Sequence, residues 1–334
     1  MPREIKPGLD FADPNRLENL GIDWMGSGEI NQSLPYVNAY EETKHKENST
    51  KIGLGWDYHL DKDPIEYYFN DIGFREVDTD KQNPSRSVAV FGCSHVMGAG
   101  NHNHNTISSY LQHYTGYKSL NYGTEGGTIT TVYNNVLKFL DTYDTCKGIA
   151  ILWPSFHRHT SVWRYAGDNA DERWRRHDLR PGEDKISFHY DGNFFTRKLN
   201  EVHPILDKSF CVDNPHNIYL INQYRTAIKL LCKARNIHLS EISVSDLLYN
   251  RNLPIWDKLS IKIPGEYKAQ FDRWYEIDNY SELSERAQWY YLNKFCARDL
   301  INYVPYEPLR WTSHWGSEVN RGFAKTFADR FSAK

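Results

Sequence analysis

The sequence predicts an α/β fold in which helices cover both faces of a mainly parallel β-sheet. Short apolar runs at residues 87–91, 118–121 and 148–153 have the length and composition of buried strands. Segments with helical spacing, at residues 106–114 and 129–143, lie between these runs. Strands that alternate with helices over such short connections form right-handed βαβ units, so the sheet is predicted to be parallel.

The same alternation resumes in the second half of the 334-residue chain. Residues 217–235 carry apolar side chains at helical spacing, and residues 237–242 have the pattern of a fourth strand. Two more helices are predicted, at residues 281–297 and 317–331. The apolar face of the last helix comprises Val319, Phe323, Phe327 and Phe331.

Some regions do not follow this alternation. Residues 1–50 are polar and rich in Asn, Glu, Gly and Pro, and an N-terminal arm or cap is predicted at 1–62, before an α/β domain at 63–334. The stretch 63–76 is predicted to add a strand or two. Within the domain, residues 160–216 and 243–280 lack a sustained period and are predicted to be irregular insertions. Long irregular loops in compact domains are often lids or binding loops.

Composition excludes several classes of function. The formal net charge is −3, so neither a nucleic acid nor a membrane is expected as a partner. The N-terminal sequence lacks the apolar core of a signal peptide, and five cysteines without a CxxC pair predict reduced thiols, so a cytoplasmic location is expected. No P-loop, dinucleotide fingerprint or EF-hand loop is present, so no cofactor is expected.

Histidine spacing gives no support for a metal site. His102 and His104 are two apart, as are His157 and His159, but neither pair has a clear third ligand nearby in the sequence. Loop or capping roles fit these side chains better. No metal is therefore expected.

The most informative stretch follows the first predicted strand, where Gly92 is followed by Ser94 and then by Gly98 and Gly100. A serine that leaves the carboxyl end of a parallel strand lies where open α/β sheets bind ligands. The start of a following helix also offers free backbone N–H groups to an anion. Ser94 is therefore a candidate nucleophile, although a plain strand-to-loop turn with a capping serine fits these residues equally well.

Three segments resemble the conserved blocks of the SGNH (GDSL-like) hydrolases. Gly92-Cys93-Ser94-His95-x-x-Gly98 resembles the first block, with Cys93 where many members have Asp. Asn121-Tyr-Gly-Thr-Glu-Gly126-Gly127-Thr128 is similar to the second. His314, followed by Trp315-Gly316 and a helix, resembles the last. The segments 65–75 and 153–158 also resemble a subgroup common in phages and environmental bacteria, for which a virion-associated location is an alternative.

This resemblance implies a flavodoxin-like three-layer α/β/α sandwich and a serine esterase that acts on an O-acyl, most simply O-acetyl, ester. Ser94 would attack the acyl carbon and His314 would act as base. Asp299 would orient the imidazole. The backbone N–H groups of Ser94 and Gly126 would donate hydrogen bonds to the oxyanion. Removing one such donor typically lowers the rate by about 10²–10³-fold.

Besides Cys93 and His95, which flank the serine, the chain departs from the family pattern in two places. The third block normally supplies an Asn side chain, and here only Ser155 or the guanidinium of Arg158 could replace it. The family's acid usually lies three residues before the histidine, where this chain has Trp311. Asp299 lies 15 residues before His314, so the intervening segment would have to loop out.

High aromatic content, 14% of residues, suits stacking against carbohydrate, although an aromatic-rich core fits the same number. A small-molecule or glycan ester is the expected substrate, with Arg158, His95 and Trp153 as candidate contacts. Two alternatives stay open: a catalytically inactive SGNH fold with a binding or structural role, and an O-acetyltransferase with the same site. A homo-oligomer or an assembly partner is compatible with either.

Overall fold

The computed structural model of the chain describes nine parts of it. These are residues 24, 33–35, 65–75, 83–125, 127–154, 215–244, 254–277, 283–295 and 314–332. The predicted insertion at 160–216 lies almost entirely outside the described residues. The proposed division into an arm at 1–62 and a domain at 63–334 therefore stays a prediction.

A small antiparallel ribbon precedes the main sheet. Strand β1 (Ser33–Pro35) pairs with β2 (Glu66–Tyr68). After β2 the chain reverses in a tight turn, in which the Asn70 side chain accepts a hydrogen bond from the Phe74 N–H at 2.9 Å. Gly73 has a φ of 80°, which favours glycine there. The strand predicted within residues 63–76 is thus present as β2, and a turn follows it.

Four parallel strands form the central sheet. They are β3 (Ser87–Gly92), β4 (Lys118–Gly123), β5 (Gly148–Trp153) and β6 (Leu239–Ser243). Their spatial order is β4-β3-β5-β6, so the chain starts near the middle, moves to one edge and then crosses to the other. This is the flavodoxin-like order, and the predicted α/β class with a parallel sheet is confirmed.

Eight α-helices are described. They are α1 (Ser94–Met97), α2 (Ile107–Thr115), α3 (Ile129–Thr142), α4 (Pro215–Ala234), α5 (Ile255–Lys258), α6 (Gly265–Ile277), α7 (Glu285–Phe295) and α8 (Ser317–Ser332). None of them, within the described ranges, is both long and apolar enough to cross a membrane.

The expectation of an irregular segment at 243–280 is wrong in part, because α5 and α6 lie within it. Pro254 and Pro264 stand immediately before these two helices. The carbonyl of each proline accepts the first hydrogen bonds of the helix that follows. A proline at a helix start removes no hydrogen bond and fixes a suitable φ angle, so it marks a beginning as readily as an end.

Side chains of alternating strand residues pack against two different helix layers. Val88 and Val90 of β3 face the core formed with α2 and α5–α8, whereas Ala89 and Phe91 face the core formed with α3 and α4. Every residue of β3 and β5 is buried, as expected for central strands covered on both faces. The architecture is therefore three-layered, and the carboxyl ends of β3, β4 and β5 meet at one edge.

Candidate active site

The turn after β3 places Ser94 at the carboxyl edge of the sheet. Cys93 is the N-cap of α1 and Ser94 is its first residue. The Cys93 carbonyl accepts hydrogen bonds from the N–H groups of Val96 at 2.9 Å and Met97 at 3.1 Å. The predicted turn is thus a single helical turn, whose first N–H groups have no acceptor within the helix.

Two glycines let α1 lie directly against the strand ends. A Cβ atom at Gly92 would lie 2.4 Å from a methyl carbon of Val96. A Cβ atom at Gly123 would lie only 2.0 Å from the backbone nitrogen of Met97. Side chains at these positions would push α1, and with it Ser94, away from the sheet.

Asn121 joins the ends of β3 and β4. Its amide nitrogen donates to the Val96 carbonyl at 3.0 Å, and its amide oxygen accepts from the Gly123 N–H at 2.9 Å. The side chain is buried, so both hydrogen bonds are shielded from water. One side chain therefore shapes both turns that the family resemblance assigned to the first two blocks.

The structure brings Ser94 and His314 together. The Nε2 atom of His314 lies 2.7 Å from the Ser94 Oγ, although the two residues are 220 positions apart in sequence. Ser94 is 3% exposed and His314 is half-buried. An imidazole nitrogen at this distance can take the hydroxyl proton as the oxygen attacks an electrophile, which is how a weakly nucleophilic serine is activated.

The residue after His314 is held on several sides. The Trp315 ring stacks on His95, with ring centroids 4.0 Å apart, and on Phe323, at 4.7 Å. His95 also meets the edge of the His314 ring, at 5.3 Å. His95, a predicted substrate contact, is thus part of the packing that supports the base.

Trp153, another predicted substrate contact, lies in the core instead. Its side chain is 1% exposed and its indole N–H donates to the Glu241 carboxylate at 3.0 Å. Strand alternation explains this placement, because Trp153 shares its face of β5 with Ile149 and Ile151, which pack against α3 and α4.

Several predicted site residues lie outside the described residues, and their roles stay predictions. They are the second oxyanion donor, both replacements for the missing Asn and the orienting acid: Gly126, Ser155, Arg158 and Asp299. Among the residues that the structure does describe, no three His, Cys, Asp or Glu side chains are grouped to hold a metal ion.

Sequence reasoning missed three polar residues that support the site, namely Arg75, Asn101 and Asn320. All three are buried. Arg75 ends the segment that resembles the phage-type subgroup, so a signal existed for it. Asn101 and Asn320 belong to no quoted motif, and only the fold brings them to the backbone beside His314.

Comparisons with known proteins add little to this geometry. No family model matches the sequence, and no curated protein matches it significantly. A search of solved structures finds a protein assigned to the G-D-S-L lipolytic family from Desulfitobacterium hafniense DCB-2. The two are 12% identical over 47% of this chain and 77% of that one, with a TM-score of 0.21. That score is too low to carry an argument about either fold or function.

Proposed function

We propose that this protein is an SGNH-type serine hydrolase that cleaves an O-acyl ester. The observation that carries the proposal is the 2.7 Å contact between the His314 Nε2 and the Ser94 Oγ at the carboxyl edge of a parallel sheet. Serine hydroxyls and imidazoles meet in this way when the imidazole acts as general base. The order of the two residues along the chain also agrees with the family resemblance.

The reaction would proceed in two halves. In the first, the Ser94 oxygen attacks the acyl carbon while His314 takes the hydroxyl proton, and the tetrahedral intermediate collapses when the imidazolium returns that proton to the departing alcohol. In the second, His314 takes a proton from water as the water oxygen attacks the acyl-serine. The new tetrahedral intermediate collapses when the imidazolium gives that proton to the Ser94 oxygen, which releases the carboxylic acid.

The oxyanion of each intermediate needs donors that are already aimed at it. The N–H of Ser94 lies in the first turn of α1, where a backbone donor has no partner within the helix. Gly126 is proposed as the second donor on the strength of the family resemblance alone. Losing either donor would be expected to cost about 10²–10³ in rate.

A fluorophosphonate probe tests the proposal, because it labels only a serine that is activated as a nucleophile. Wild-type protein is expected to be labelled and to hydrolyse a short-chain aryl ester, and Ser94→Ala to do neither. Ser332→Ala is a matched control, because Ser332 lies in the last turn of α8, where its hydroxyl donates to the Ala328 carbonyl at 3.0 Å. If the wild type shows neither labelling nor turnover above Ser94→Ala, the fold has a binding or structural role instead.

The acyl acceptor can be identified with the same protein. Release of free acetate from an O-acetylated sugar would indicate water as the acceptor. Transfer of the acetyl group to an added sugar, without loss of total ester, would indicate an acetyltransferase. The preference for a carbohydrate ester stays a prediction from aromatic composition.

A further inference from the structure

A buried guanidinium lies behind the nucleophile turn. Arg75 is 1% exposed, and its planar head spans the loop that follows α1. Its Nη1 donates to the carbonyls of Gly98 at 2.7 Å and Met97 at 3.3 Å, and its Nη2 donates to the carbonyl of Asn101 at 2.7 Å. One side chain therefore fixes three backbone groups of this loop.

The charge of Arg75 suits that position. A helix end leaves carbonyl groups without intrahelical partners, and a cation there is favourable. Burial lowers the pKa of Arg75 to about 10, so the guanidinium is still protonated at neutral pH. The guanidinium also lies over the Tyr67 ring, 4.2 Å from its centroid, and the Tyr67 hydroxyl accepts from the Gly100 N–H at 2.8 Å.

The far end of this loop reaches the segment that carries the base. The Asn101 amide nitrogen donates to the Trp315 carbonyl at 2.9 Å and to the Ala99 carbonyl at 3.0 Å. Asn320 adds a longer bond to the same Trp315 carbonyl, at 3.3 Å. Trp315 directly follows His314, so this hydrogen bond fixes the backbone next to the imidazole.

We propose that Asn101 is a positioning residue that holds His314 against Ser94 through the Trp315 carbonyl, with Arg75 fixing the loop from which it reaches. The loop at residues 98–101 begins directly after α1, whose first residue is Ser94, and ends at Asn101, which bonds the residue after His314. One short loop therefore links the nucleophile turn to the segment that carries the base. This inference rests on the proposed function for its kinetic consequence, but the geometry it describes can be measured without turnover.

The direct test removes the Asn101 donor without adding charge. Asn101→Leu keeps a similar volume, and Asn101→Ala is a smaller second variant that also lacks a donor. Both are expected to lower kcat by about 10- to 100-fold, because a misplacement of about 1 Å costs up to about 10²-fold. KM is expected to stay near the wild-type value, since Asn101 would not touch substrate. Fluorophosphonate labelling should slow by a similar factor.

A destabilised control separates positioning from general loss of structure. Leu140 is buried in the last turn of α3. This turn lies toward the amino ends of the strands, whereas Ser94 lies at their carboxyl ends. Leu140→Ala is expected to lower the melting temperature without lowering kcat. If the Asn101 variants keep the wild-type kcat, or lose no more of it than Leu140→Ala does, the positioning role is wrong.

Ring nitrogen NMR of ¹⁵N-histidine protein provides a readout that needs no activity. The His314 resonances are expected to move in Asn101→Leu, while those of His113, exposed on α2, stay in place. If wild-type protein neither labels nor turns over ester, the proposed function fails and this measurement alone decides the positioning role. Unchanged His314 resonances in both Asn101 variants would overturn it.

Discussion

Two buried regions of this protein are built from different kinds of interaction. The polar joint, formed by Arg75, Asn101, Asn320 and the Trp315 carbonyl, connects the nucleophile turn to the base through directed hydrogen bonds. The aromatic layer belongs to the core on one side of the sheet and contains Trp256, Phe271, Trp274, Tyr291 and Phe295, with Phe271 touching the other four rings.

The two regions differ in how precisely they place individual atoms. Apolar burial is non-directional and scales with the area removed from water, so the aromatic layer stabilises the fold without specifying the position of any one reactive atom. A hydrogen bond depends on distance and angle, so the polar joint fixes atoms relative to one another. Substitutions in the layer should therefore change stability, and substitutions near the joint should change chemistry.

The largest effect is expected at His314, the residue that the joint holds. His314→Gln keeps a polar side chain of comparable reach but cannot act as base near neutral pH. It is expected to lower kcat by about 10²–10⁴ while the melting temperature changes little. Ester hydrolysis and thermal unfolding, measured on the same preparation, check both parts. His113→Gln, on the exposed side of α2, should leave both unchanged.

A matched pair of glycine substitutions probes the contact between α1 and the sheet. In Gly123→Ala the new methyl group would meet the backbone of Met97, which cannot rotate away, so α1 must shift. Most of the esterase activity is expected to be lost. In Gly116→Ala the φ of 70° is strained, but the new methyl group has no neighbouring atom within 4 Å. This variant should lower the free energy of unfolding by about 1 kcal/mol and leave the esterase activity unchanged. Equal activities would contradict the close approach.

The aromatic layer should show the opposite behaviour. Phe271→Ala removes a fully buried ring and is expected to lower the free energy of unfolding by about 3–5 kcal/mol. The activity per folded molecule should stay at the wild-type level. Urea unfolding and kcat at low denaturant measure the two quantities. Tyr219→Ala, a substitution of a ring that is 58% exposed, is the control and should change stability by less than about 0.5 kcal/mol.

Much of the sheet could be predicted from sequence, because strands buried on both faces appear as continuous apolar runs. Residues 148–153 were predicted with the observed bounds, and the run at 87–91 extends by one residue to Gly92. The serine and histidine were found through local motifs. The helices at Ile255–Lys258 and Gly265–Ile277 were missed, because a proline that starts a helix has the same local pattern as one that ends it.

The polar joint could not be predicted in the same way. The hydrogen bond between Asn101 and Trp315 joins residues 214 positions apart, so neither neighbourhood carries a pattern that reveals it. The burial of Arg75 cannot be predicted from sequence either. Arginine is almost never fully buried unless it is paired. The partners of Arg75 are backbone carbonyls, which leave no mark in the sequence. Contacts of this kind are defined by topology and appear only once the fold is known.

A half-buried polar cluster around Glu241, away from the polar joint, tests whether polarity or location sets the effect on chemistry. The Glu241 carboxylate on β6 bonds Arg225 at 2.9 Å, Lys229 at 2.6 Å and the Trp153 indole, and none of these belongs to the polar joint. Burial alone would raise the pKa of Glu241, but the hydrogen bonds from these partners outweigh it and the pKa is lowered.

The smallest effect is therefore expected at Glu241, and on stability alone. A lowered pKa in the folded state means that the ion pairs stabilise the fold above the carboxyl's unfolded pKa of about 4.3, and that this stability is lost as pH falls through the folded pKa. Glu241→Gln should lower the free energy of unfolding by about 1–2 kcal/mol at pH 7 and by less at pH 3, with kcat unchanged. Glu266→Gln, on the exposed start of α6, is the control. A loss of kcat in Glu241→Gln as large as in Asn101→Leu would show that buried polarity matters for chemistry wherever it lies, and the distinction between the two regions would fail.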